Sequence, residues 1–170
     1  MKIHRFVLAL TALTALLALC LATVRAADVG QPVPDVDLPG SSVGAKLSDL
    51  RGKVVYLDFW ASWCGPCKQS FPWMNDMQRK YGARGLQVLA INLDAKRSDA
   101  DQFLAQNPAA VALAFDAKGE SAKRIGVKGM PTSLLVGADG KVLLVHQGFR
   151  AEDRADLEAR LVAALGGKTP

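Results

Sequence analysis

The chain has 170 residues, half of them hydrophobic and 22% charged, with a formal charge of +5. That length suffices for one ordinary domain with a packed core. Cations and anions are interspersed, with no basic stripe and no basic–aromatic interleaving, which excludes a nucleic-acid footprint.

Residues 1–26 read as an export signal. Lys2, His4 and Arg5 form a basic start, and Phe6–Leu21 is an apolar run broken only by Thr11 and Thr14. Val24-Arg25-Ala26 offers apolar and small residues at the −3 and −1 positions of a cleavage site. Extended to Val24, the run also suffices for an uncleaved membrane anchor. Lipidation at Cys20 is disfavoured, because Leu19 stands where a small residue is wanted. Lys2, Arg5 and Arg25 leave with the segment and no acid does, so the excess of cations falls to +2. Residues 27–170 are read as a single domain.

From residue 27 onward, Gly, Pro and Ser dominate as far as Gly44, and Val33–Leu38 alternates as an edge strand would. Lys46–Lys53 reads as a helical turn ending at Gly52. Val54–Phe59 is a strand apolar on both faces, as burial on both sides requires. Cys67–Tyr81 has helical composition, with Pro66 in its first turn, Pro72 inside it and Gly82 and Gly85 after it. Leu86–Leu93 is a second strand. A helix capped by Ser98 runs to about Gln106, where Asn107-Pro108 stops it. Val111–Phe115 is a short strand and Glu120–Ile125 a short helix. Thr132–Val136 and Lys141–His146 form a hairpin across Ala138-Asp139-Gly140. Ala151–Leu165 closes the chain as a helix with Leu157, Leu161 and Leu165 on one face. This order predicts an α/β sandwich: a central mixed sheet with helices on both sides.

Cysteine usage points to the chemistry. Beyond Cys20, the chain has only Cys64 and Cys67. A ring closed over so few residues removes little chain entropy, so the pair is used rather than structural. Cys64 stands where a strand passes into a helix, and unpaired N–H groups there stabilise a thiolate. Cys67 lies one helical turn inside. The division that follows is Cys64 as attacking nucleophile and Cys67 as resolving thiol. A zinc site would need a second cysteine pair or paired histidines, and His146 is the one histidine beyond the signal. No metal and no cofactor is called for.

Trp60-Ala-Ser-Trp63-Cys64-Gly-Pro-Cys67-Lys68 resembles the thioredoxin active site, and Pro72 matches that family's helix proline. Gly126-Val-Lys-Gly-Met130-Pro131-Thr132 resembles its cis-proline loop, and the likeness extends from about Gly30 to Leu165. The Gly30–Gly40 segment, the Leu47–Lys53 lead-in and the extra length between Leu93 and Ile125 are similar to the TlpA/ResA-type exported oxidoreductases. The resemblance implies a thioredoxin-like fold with an N-terminal strand or hairpin extension and an inserted helix and strand. It also implies a periplasmic protein that reduces disulfides of exported proteins, as in cytochrome c maturation or metal-centre assembly; nothing in the sequence demands more than a monomer. Its electrons would come from a membrane thiol reductant.

Residue by residue, the resemblance makes Cys64 and Cys67 the redox disulfide and Asp58 the buried acid that takes the Cys67 proton. It places Pro131 across from Cys64, and Trp63, Gly65, Pro66 and Met130 against the substrate. Trp60, Phe71, Trp73, Met74 and Met77 are read as packing residues. Thioredoxins pair the acid with a lysine on the next strand; the matching place here is Ala90, so the Asp58 pKa is expected to stand higher. A peroxidase of the peroxiredoxin group and a thiol-based copper chaperone are the alternatives. The first lacks its Pro-x-x-x-Thr-x-x-Cys loop.

Overall fold

The structure is a computed structural model and describes residues 27–167; the signal or anchor reading of residues 1–26 lies outside them. Five strands form one mixed sheet in the order β3-β2-β1-β4-β5. They are β1 (Val54–Trp60), β2 (Leu86–Asn92), β3 (Ala112–Phe115), β4 (Thr132–Val136) and β5 (Val142–Gln147). β1, β2 and β3 run parallel, whereas β4 pairs antiparallel with both β1 and β5. The helices are α1 (Gly65–Tyr81), α2 (Arg97–Gln106), α3 (Glu120–Ile125) and α4 (Asp153–Ala164). None of the described helices is long and apolar enough to cross a membrane.

Every residue of β1, β2 and β4 is buried, which is why these segments show no polar alternation. The two faces carry separate cores. On one, Tyr56 and Trp60 of β1 pack with Phe71, Met74 and Met77 of α1, Phe103 of α2 and Leu157 and Leu161 of α4. On the other, Val55, Leu57 and Phe59 pack with Ile125 of α3 and with Val36, Leu38, Leu47 and Leu50 of the N-terminal segment.

Two local expectations are corrected. Val33–Leu38 makes no strand; the segment forms two isolated bridges, Pro32 with Lys141 just before β5 and Asp37 with Lys46 within the N-terminal segment itself. Pro32 and Pro34 lack N–H groups, so a ladder started by Val33 N–H on the Gly140 carbonyl (2.9 Å) cannot propagate. The extension is therefore a hairpin-like clasp closed by Leu38 N–H to the Ala45 carbonyl and Leu47 N–H to the Val36 carbonyl. Nor does Ser98 cap α2, which begins at Arg97 without a side-chain cap. Arg97 bonds Asp101 one turn on (2.8 Å) and lies 3.6 Å over the Phe115 ring, and those contacts draw it into the first turn. α1 runs through Pro72 as one element.

Candidate active site

The site forms where β1 ends. The strand releases Ala61–Trp63 as a tight loop, and α1 starts at Gly65 with Cys64 as its N-cap residue. Cys64 and Cys67 are joined by a disulfide, with their Cα atoms 5.3 Å apart. The Cys64 sulfur accepts a hydrogen bond from the Cys67 N–H at 3.3 Å. In the reduced protein this donor and the helix N-terminus favour the Cys64 thiolate. Cys64 is 5% exposed and Cys67 0%. One sulfur thus lies at the rim and the other beneath it.

Trp63, Gly65 and Pro66 are exposed around Cys64, and Trp63 at 73% is the most exposed large apolar side chain described. Trp60 is fully buried against Phe71 and Phe103, with ring centroids 4.9 and 4.8 Å away. The two tryptophans therefore divide as expected, one packing the core and the other facing outward. Phe71, Trp73, Met74 and Met77 are likewise buried.

The Met130–Pro131 peptide is cis. Thr132 Oγ1 donates to the Gly129 carbonyl (2.7 Å), and Gly148 N–H donates to the Pro131 carbonyl (2.8 Å), which fixes the loop at both ends. Among the described residues no backbone group pairs with Met130, whose side chain packs half-buried on the core that holds both cysteines.

Asp58 is fully buried. It shares its face of β1 with Tyr56 and Trp60, the face on which Cys64 and Cys67 pack. Its partner on β2 is Ala90, so no cation reaches it from that strand. Its one side-chain hydrogen bond comes from Ser133 of β4, whose Oγ donates to Oδ1 at 2.6 Å, while Oδ2 is buried without a partner. Burial pushes the pKa up to about 7, and the Ser133 bond opposes that rise. Such an acid can accept a proton near neutral pH.

Sequence reasoning missed two features. One is the clamp under the active-site loop. Asp94, 5% exposed, accepts from Ser62 N–H and from Ser62 Oγ, both at 2.9 Å, and from Asn92 Nδ2 at 2.7 Å. An Asn-x-Asp pair at the end of a buried strand was the available signal, since buried polar side chains need partners. Asp94→Ala is expected to lose about 2–3 kcal/mol in urea denaturation, because it strands the buried Asn92 amide and two part-buried Ser62 donors. Asp94→Asn should lose less. An unchanged midpoint for Asp94→Ala would show that the clamp bears no load.

The other is a groove of about 370 Å³ beside Cys64, between Trp63 and α2, with Gln102, Phe103 and Gln106 on its α2 wall. Among the described residues no group of three or more His, Cys, Asp or Glu side chains is placed to hold a metal ion.

A family model described as Redoxin matches residues 28–161. The thiol-disulfide oxidoreductase ResA of Bacillus thuringiensis subsp. konkukian is 33% identical over 132 residues, which are 76% of this chain and 75% of that one. A Chlorobium tepidum protein whose crystal structure is described as a thiol:disulfide interchange protein DsbE is 61% identical, with a TM-score of 0.78. The match covers 82% of this chain and 99% of that one. A Bacteroides thetaiotaomicron protein described as a protein disulfide isomerase matches at 25% identity and a TM-score of 0.73, over 82% of this chain and 91% of that one.

Proposed function

The chain belongs to the Redoxin family and, within the thioredoxin superfamily, to the TlpA/ResA-type thiol–disulfide oxidoreductases; from that premise we propose that it reduces disulfides of exported proteins through Cys64 and Cys67. The observation that carries the reading is the asymmetry of the pair. Cys64 meets the rim under an N–H donor, whereas Cys67 is sealed on the face that holds Asp58.

In the reduced enzyme the Cys64 thiolate attacks one sulfur of the partner's disulfide. A Cys64–partner bond forms, and the partner's other sulfur leaves with the electron pair and takes a proton from solvent. Cys67 then gives its proton to Asp58 and attacks Cys64. The new Cys64–Cys67 bond releases the partner's second sulfur as a thiolate, which solvent protonates. Two electrons have passed to the partner, and a membrane thiol reductant returns them. Trp63, Gly65, Pro66 and Met130 form the surface on which the partner's chain lies, with Met130's free backbone offering strand-type pairing and Pro131 facing Cys64.

We place this monomer in the periplasm, carried there by residues 1–26, with apocytochrome c and metal-centre assembly proteins as the substrate class. Mass analysis of the envelope fraction checks the export arm. A chain starting at Ala27 supports cleavage, an intact start in the membrane supports the anchor, and recovery in the cytoplasm overturns both. Equilibration with a glutathione redox series tests direction: a potential near that of thioredoxin, about −270 mV, is expected. A potential near that of DsbA, about −120 mV, would make the protein an oxidase instead.

A further inference from the structure

The cation missing from β2 has a counterpart on the opposite side of β1. Asp58 is directly opposite Ser133 on β4, and Ser133 is directly opposite His146 on β5. Residues paired in this way point to the same face of the sheet and are side-chain neighbours. The row therefore runs Leu113, Ala90, Asp58, Ser133, His146 across all five strands. It is apolar on the β3 side of Asp58 and polar on the β5 side. Exposure rises along the polar half, from 0% at Asp58 and 2% at Ser133 to 24% for the His146 side chain. At the outer end, His146 Nε2 is 3.4 Å from Asp153 Oδ2, at the start of α4. That nitrogen is buried and has no hydrogen-bond partner.

We propose that Asp58 exchanges its proton with solvent across β4, through the Ser133 hydroxyl to the His146 imidazole and the Asp153 carboxylate. The inference rests on the reading of Asp58 as acceptor of the Cys67 proton. Before that transfer, an Asp58 resting in its protonated form gives its proton to the Ser133 oxygen, and the hydroxyl, which is not hydrogen-bonded to His146 at rest, turns across the row to pass its own to the imidazole. The imidazolium beside Asp153 then releases one proton to water, which leaves Asp58 as the carboxylate that accepts from Cys67. No electrons move, and Ser133 and His146 regain their starting states. Hydroxyls and imidazoles suit this role because both donate and accept. The titratable or charged groups facing Asp58 are Tyr56 on its own strand, Cys67 from α1, His146 from β5 and Asp153 from α4; β2 and β3 offer only Ala90 and Leu113. Tyr56 packs on the same face, but burial above all, and then the Asp58 charge, pushes its pKa far above the ordinary range, so it offers no exit for the proton. Ser133 and His146 are thus positioning residues, acting through Asp58.

The reduced protein carrying Cys20→Ser, mixed with 5,5′-dithiobis(2-nitrobenzoate), tests this. Its first absorbance phase reports attack by Cys64 and its second the attack by Cys67. Ser133→Ala and His146→Ala are expected to slow the second phase about tenfold or more while sparing the first. The Ser133→Ala inflection should also move to higher pH, since a donor to the carboxylate is lost. Ser133→Thr should keep the wild-type rate, and imidazole in the buffer should restore His146→Ala. Wild-type second phases and pH profiles in both alanine variants would overturn the relay, as would a slow His146→Ala that imidazole does not rescue. An Asp58→Asn variant with an unaltered second phase would instead remove Asp58 from the mechanism itself. A slow Asp58→Asn beside fast Ser133 and His146 variants removes only the relay.

Discussion

Cys67→Ser is expected to stop turnover after its first sulfur exchange, leaving the partner attached to Cys64, and Cys64→Ser to prevent the first exchange altogether. Both should lower protein-disulfide reduction by at least about 10³-fold, because a hydroxyl neither ionises near neutral pH nor attacks sulfur usefully. Their difference is the informative part. The Cys67 variant should accumulate a mixed disulfide visible by mass spectrometry and cleaved by dithiothreitol, whereas the Cys64 variant should form none. The reason is positional, since the sulfur reaching the rim accepts the Cys67 N–H and the other is wholly enclosed. Adducts appearing on Cys67 in the Cys64→Ser protein would reverse the assignment. A Cys67→Ala protein expressed in cells and recovered with partners on Cys64 would identify the substrates, and an empty trap would count against a protein substrate.

Asp58→Asn is expected to stabilise the oxidised protein at pH 8 while slowing its chemistry when reduced. The sign follows from the raised folded-state pKa of about 7, set against about 3.9 in the unfolded chain. Between those values the folded state holds a proton that the unfolded state has lost. Stability therefore falls as pH rises through that window, levels off above about 7 and is full below about 4. Three pKa units correspond to about 4 kcal/mol, an upper figure because a buried carboxylate draws in some compensating polarity. Asparagine stays neutral and still accepts from Ser133 Oγ. The two proteins should thus differ little at pH 4 and by about 2–4 kcal/mol at pH 8, in urea midpoints measured across the series. The idea is falsified if the difference between them is flat from pH 4.5 to 8. The cost of keeping this acid buried supports the proposal that it takes the Cys67 proton.

Much of this site was legible beforehand because its signals are local. An apolar strand running into Trp-Cys-Gly-Pro-Cys dictates a thiol at a helix start, and the N-cap geometry of Cys64 is a direct consequence. Met-Pro-Thr before a β-prone run marked the cis-proline loop, and the peptide there is cis. The partner of Asp58 on the next strand was readable as well, because two parallel strands of equal length leave few registers, and Ala90 stands opposite it. Misreadings occurred where a polar side chain had several competing partners. Ser98 has the composition of a cap, but the contacts of Arg97 with Asp101 and Phe115 move the helix start past it. The alternation of Val33–Leu38 suggested a strand, but the flanking prolines leave too few donors to make one.

The residue order by itself determined the redox pair, its place at a helix start and the mixed α/β sheet, since strand length and helix capping depend on neighbours along the chain. Only the tertiary structure decided what surrounds the pair. The Asp94 clamp on Ser62 spans 32 residues and the Ser133 bond to Asp58 spans 75. Such contacts are set by strand register and by the need to satisfy buried polar atoms, and neither leaves a periodicity to read. The path proposed for the Asp58 proton belongs to that second class, because the row from Asp58 to His146 exists only once β4 lies between β1 and β5.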